Sequence, residues 1–100
     1  MKSEKLNLVE KSSFDYNPVS VTLKGKIIAI SELTMDKATN TYVCLVTLKD
    51  KRYKAECICS QEKIKIFEKE LQLNNKAIIK GIFNVNKPTQ PIIIEQVKLN

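Results

Sequence analysis

The chain contains no histidine and no tryptophan. The first absence excludes histidine-dependent triads, imidazole zinc ligands and histidine general bases. The second leaves 3 Phe and 3 Tyr as the whole aromatic supply, which is sparse for a surface built to stack bases. Glycine is limited to 2 residues and proline to 3, so collagen-like and linker-like chains are excluded. There is no Gly-rich nucleotide-binding loop and no carboxylate cluster at metal-binding spacing. Together these gaps argue against an enzyme. No stretch approaches the ~18 apolar residues of a membrane span. Residues 1–9 lack the apolar run of a signal peptide. The expected compartment is cytoplasmic, with no membrane partner.

Three cysteines, Cys44, Cys57 and Cys59, form an odd set in strand-like surroundings. That argues against a secreted disulfide scaffold. Their spacing does not match a structural zinc site, and a fourth ligand is missing. The expectation is buried, reduced and inert thiols, with no cofactor.

What is present suits one domain: 100 residues, of which 43% are apolar. Seventeen basic and eleven acidic residues give a formal charge of +6. That excess permits an anionic partner without demanding one.

Residues 1–17 are polar and balanced in charge, and read as a mobile arm. In a rival reading Phe14 and Tyr16 tether the arm to the body, since each ring can bury about 150–250 Å². The body, residues 18–100, begins with alternation: Val19, Val21 and Leu23 share one face, and Ile28 and Ile30 the other. A phase shift of one residue at Gly25 predicts a β-bulge there, which lets one long strand serve two sides of a barrel. The competing reading is two separate strands, or one buried on both faces.

Residues 31–40 read as a polar connection. Residues 41–48 are β-branched and aromatic, hence a strand, and residues 52–59 follow as its hairpin partner after a tight turn at 49–51. The period then changes. Ser60 can cap a helix, and Ile64, Phe67 and Leu71 recur at spacings of three and four. A helix of about 12 residues is predicted, ending at Asn74 and Asn75. It must lie against the sheet, because so short a helix is marginal alone. Burying its three apolar residues contributes roughly 5–8 kcal/mol before entropy. Phe67→Ala is the helix change expected to cost most, about 3–5 kcal/mol. Residues 76–85 and 92–99 return to strand composition around a polar turn.

The order is three strands, a helix and two strands. Closure into a barrel would remove exposed edges. Three segments carry a resemblance: Val21-Thr-Leu-Lys-Gly25-Lys-Ile-Ile, Ala77-Ile-Ile-Lys-Gly81-Ile-Phe83, and Pro91-Ile-Ile-Ile-Glu-Gln-Val-Lys-Leu99. Through them residues 18–100 resemble the OB-fold nucleic-acid-binding domains. The resemblance implies an all-β fold, a five-stranded barrel with one helix between strands 3 and 4. The lysine-, asparagine- and isoleucine-rich usage resembles chains of low-GC bacteria, phages or mobile elements.

The resemblance also implies oligonucleotide binding across strands 2 and 3 and their flanking loops. On this sequence that surface holds Tyr42, Lys49, Lys51, Arg52, Tyr53 and Lys54, with Lys37 and Lys87 in the loops and Phe83 nearby. Residues 49–54 alone carry a net +3, half the chain's excess. Cations there can follow phosphates and rings can stack on bases. A plain solvated turn is the competing reading for the cations, and core packing for Tyr42, Tyr53 and Phe83. Two functions stay open. One is a non-enzymatic accessory that binds single-stranded DNA or RNA, in DNA replication or mobile-element maintenance. The other is a subunit completing a polymerase, primase, helicase or secretion complex through residues 92–94 or Ile66. A homodimer through a strand edge is also open.

Overall fold

The computed structural model describes residues 17–37 and 39–100. The expected arm, with Phe14 and Tyr16, lies outside them except for Asn17. Six strands and one helix follow in order: β1 (Pro18–Ile30), β2 (Thr34–Asp36), β3 (Thr41–Lys49), β4 (Lys54–Ser60), α1 (Gln61–Ile66), β5 (Lys76–Asn84) and β6 (Ile92–Leu99).

The strands pair in the order β1-β5-β6-β4-β3-β2, and β1 also pairs with β3. That second pairing closes β1, β5, β6, β4 and β3 into a five-stranded barrel. Every junction is antiparallel except β4–β6, where Cys57 faces Ile92 and Ile58 faces Ile93 in parallel. This is an all-β barrel of the OB type, with its short helix between the third and fourth barrel strands. The expected strand–helix order therefore holds.

The curling device of β1 differs from the expected one. Gly25 pairs with Ala77 in an unbroken register with β5. The extra residue is Ile28, between the Ile27–Leu48 and Ala29–Thr47 pairs of β1 with β3. Ile27 therefore points into the core, while Ile28 stays 37% exposed. Gly25 serves close approach instead: a Cβ there would lie 2.7 Å from the Lys49 carbonyl oxygen. A second bulge sits in β6, where Glu95 is left over between Gln96, opposite Lys80, and Ile94, opposite Gly81.

The expected connection 31–40 is partly strand. Thr34, Met35 and Asp36 pair with Val43, Tyr42 and Thr41, so β2 continues the line of β1 along β3. Ser31 bridges the gap: its N–H donates to the Leu45 carbonyl at 2.9 Å, and its hydroxyl accepts from the Leu45 N–H at 2.8 Å.

The helix is shorter than expected. Ser60 caps it, its hydroxyl accepting from the Lys63 N–H at 3.4 Å, and the helix ends at Ile66. The rest of the segment runs as turns that the Asn75 amide satisfies, donating to the carbonyls of Glu70 at 3.1 Å and Lys69 at 3.4 Å. Asn74 takes the left-handed conformation, φ 72°. Its N–H reaches the Ile27 carbonyl, and the Ile27 N–H reaches the Asn75 carbonyl. These bonds fasten the segment to β1 without a longer helix. Ile64 and Phe67 are half-buried against the core and Leu71 is buried, so Leu71 is the deepest of the three anchors.

Ile27, Val46, Leu48, Cys57, Cys59, Ile79 and Ile94 form the fully buried centre. All three thiols are free and buried, and Cys44 faces Cys59 across β3 and β4. Burial pushes Cys44 above the ordinary 9.0. Burial, aided by Glu56, pushes Cys57 to about 11. Cys59 rises to about 12, again mainly by burial, with Cys44 and Cys57 adding and Lys63 opposing. Unfolded thiols lose their protons above their ordinary value, whereas the folded ones hold them. The thiol contribution to stability is thus intact below about pH 9 and is lost as pH rises toward about 12. At pH 8 native thiols should react with a disulfide reagent at least ~100-fold more slowly than in denaturant. Equal rates would contradict this burial.

Candidate nucleic-acid interface

Alternation along β1 turns Lys24 and Lys26 outward, away from the buried Ile27. Register then decides what they face. Lys26 sits opposite Lys76 of β5 on one side and Lys49 of β3 on the other. Lys49 in turn sits opposite Lys54 of β4. Four exposed lysines thus form a continuous row across four strands, Lys76–Lys26–Lys49–Lys54. With neighbouring strands 4.7–4.9 Å apart, the row spans about 14 Å. Like charges directly opposite one another destabilise a sheet, so this arrangement opposes folding.

Beside the row lies a cleft of about 630 Å³, lined by Lys24, Gly25, Lys26, Ile28, Lys49, Asp50, Lys51, Lys76 and Asn100. Five of these are lysines and Asp50 supplies the one side-chain carboxylate. The β3–β4 turn forms one wall. It is held by the Asp50 N–H to the Tyr53 carbonyl at 2.9 Å and by the Lys51 N–H to the Asp50 carboxylate at 2.7 Å. Backbone and Asp50 make the turn, which leaves the Lys51 and Arg52 side chains exposed and uncommitted to its geometry.

Tyr53 has a role that neither sequence reading contained. Its hydroxyl donates to the Lys24 carbonyl at 3.0 Å and accepts from the Lys24 N–H at 3.2 Å. The phenol caps the edge of β1 beyond the end of β3, as a further strand residue would. Tyr53→Phe keeps the ring and removes both bonds. It should cost about 1 kcal/mol, lowering the melting midpoint by about 4–8 °C. An unchanged midpoint would show the bonds to be idle.

The predicted site residues separate into groups. Lys49, Lys51, Arg52, Tyr53 and Lys54 come together at the hairpin turn, beside the lysine cleft. Lys37 follows β2, and Tyr42 lies at the start of β3 opposite Met35. Tyr42 is 48% exposed despite sharing parity with the buried Cys44 and Val46. Lys87 sits in the β5–β6 loop, its N–H bonded to the Asn84 carbonyl at 3.0 Å. Phe83 is half-buried near the end of β5, opposite Val19.

The β2–β3 turn and the β5–β6 loop border a different groove, of about 430 Å³. Asp36, Thr39, Thr41, Ser60 and Gln90 supply its polar lining, and Val43, Ile58, Pro91 and Ile93 its apolar lining. Asp36 is the only charged residue among them. Among the described residues, no three His, Cys, Asp or Glu side chains come together to hold a metal ion. No helix among them is long and apolar enough to cross a membrane.

Lys24, Lys26 and Lys76 escaped the sequence reading. The expected bulge at Gly25 put Lys26 in phase with Ile28 and Ile30, and the strand register that sets these lysines beside the hairpin is not written in any one segment. Strand order and closure define the molecule as a small OB-type barrel with a lysine-lined cleft at the β3–β4 turn. No protein-family model and no curated protein matches the chain.

Proposed function

We propose that the chain is a non-enzymatic accessory protein that binds single-stranded nucleic acid, acting in the cytoplasm in DNA replication or in maintenance of a mobile element. The observation that carries this reading is the concentration of cations at one place on the barrel. Five lysines line one cleft with a single side-chain carboxylate, and Arg52 and Lys54 adjoin it through the hairpin. Such a surface attracts phosphates, releases their counterions on binding and becomes weaker as salt rises. The test is fluorescence anisotropy of a labelled 30-mer of dT at ~50 and ~200 mM salt. Binding that weakens steeply between the two supports the reading. No binding at the lower salt with ~100 μM protein rejects it.

A second reading has its own observation. The groove between the β2–β3 turn and the β5–β6 loop contains no cation and exposes Ile93 by 49%, and Ile66 of α1 is 68% exposed. Exposed apolar surface marks contact sites, which suits a subunit of a polymerase, primase, helicase or secretion complex. Recovery of a stoichiometric partner that is lost on Ile93→Asp supports it. A protein that stays alone in its host extract counts against it.

A further inference from the structure

We infer that the bound strand lies at the β3–β4 hairpin end of the barrel, with its phosphates on the row Lys54–Lys49–Lys26–Lys76, instead of in the groove between the two flanking loops. This rests on the nucleic-acid reading above and adds the path and the kind of contact. Three observations carry it.

The first is register. Each lysine of the row faces another lysine, through the pairs Lys76–Lys26, Lys26–Lys49 and Lys49–Lys54. Cross-strand partners of opposite sign would stabilise the barrel, and these do the reverse. A polyanion laid over the row converts that repulsion into attraction. The row is about 14 Å long, enough for about three or four phosphates at stacked-strand spacing.

The second is the lining of the cleft beside the row. It contains no aromatic side chain. Tyr53, the nearest ring in the turn, has its hydroxyl engaged with both backbone groups of Lys24. With no ring in its lining to stack on, the cleft reads backbone charge, and the bases face away from it. The third is the contrast with the groove at the two flanking loops, where Asp36 is the only charged lining residue. A strand running there would leave the lysine row uncompensated.

The test uses the whole chain and measures the slope of log affinity against log salt. Each phosphate contact of a single strand contributes about 0.7 to that slope. Lys26→Gln combined with Lys76→Gln, both outside the hairpin, should reduce the slope by about 1.4 and weaken binding to the dT 30-mer about tenfold at ~50 mM salt. The melting midpoint should stay the same or rise, because the row's repulsion is relieved. Lys37→Gln combined with Lys87→Gln, at the flanking loops, should leave the slope unchanged. An abasic 30-mer should bind within about threefold of dT, since the row contacts phosphates alone. Loss of slope in the loop variant with none in the row variant overturns the path. So does a tenfold weaker abasic strand. If the unaltered protein binds no oligonucleotide at all, the nucleic-acid reading itself falls, and the path falls with it.

Discussion

Lys51→Glu combined with Arg52→Glu should weaken binding to the dT 30-mer by about 100-fold at ~50 mM salt, while the melting midpoint moves by no more than about 4 °C. The two halves of this result come from different parts of the turn. The backbone of the turn is set by the Asp50–Tyr53 hydrogen bond and by the Asp50 carboxylate on the Lys51 N–H. Both side chains are exposed and support neither bond. Surface changes of that kind usually stay within about 0.5 kcal/mol, or about 2–4 °C for a domain of this size. Binding is another matter. Two attractive charges become two repulsive ones at the wall of the lysine cleft, and a hundredfold loss corresponds to only about 2.7 kcal/mol. Affinity within threefold of the unaltered protein would place the phosphates elsewhere.

Gly81→Ala should cost at least about 3 kcal/mol and lower the melting midpoint by about 12 °C or more. Conformation is not the obstacle, since neither glycine among the described residues has a positive φ. Space is. A Cβ at Gly81 would lie 2.5 Å from the Ile93 carbonyl oxygen and 2.7 Å from the Ile92 Cγ2. The oxygen belongs to the neighbouring strand, so relief requires β5 and β6 to separate beside the Glu95 bulge. That strain would reach the fully buried Ile94, which faces Gly81 across the two strands. Overpacking of this kind typically costs about 1–3 kcal/mol, and a backbone obstacle sets the expectation at the top of that range. A midpoint unchanged within about 3 °C would mean that β6 yields more easily than the barrel's closure implies.

Much of the fold was legible because the apolar period changes twice along the chain. The change of period after Ser60 located the start of α1, and the return at Lys76 located the start of β5. Gly25 was recognised as a place where a strand does something unusual. The nature of that event was not legible at Gly25. The apolar pattern shifts phase between Leu23 and Ile30, and a glycine nearby looks like its cause. Either Gly25 or Ile28 could be the surplus residue, and only the partner strand decides. The bulge falls at Ile28, and Gly25 answers to the Lys49 carbonyl instead. The length of α1 was overestimated for a related reason. Ile64, Phe67 and Leu71 keep helical spacing although only the first lies in α1, because successive turns can deliver the same side chains to the core. The Asn75 amide satisfies the carbonyls that a longer helix would have paired.

The candidate site was half legible. A local run of charge, residues 49–54, shows itself in one hairpin. Lys26 and Lys76 are 50 positions apart in the chain and meet only through the pairing of β1 with β5. Tyr53 looked like a ring for packing or stacking, and its bond to Lys24 depends on where β3 stops. Tyr42 shows the converse: expected on the binding surface, with core packing as the competing reading from its parity with Cys44 and Val46, it is exposed because the barrel wall has already ended at its position.

The most direct measurement is a backbone amide NMR titration of the full chain with a dT 15-mer at ~50 mM salt. Shifts concentrated at Lys24, Lys26, residues 49–54 and Lys76, and fading as salt is raised, are the expected result. Shifts confined to residues 36–43, 58–60 and 90–93, or no shifts at all, would contradict the account.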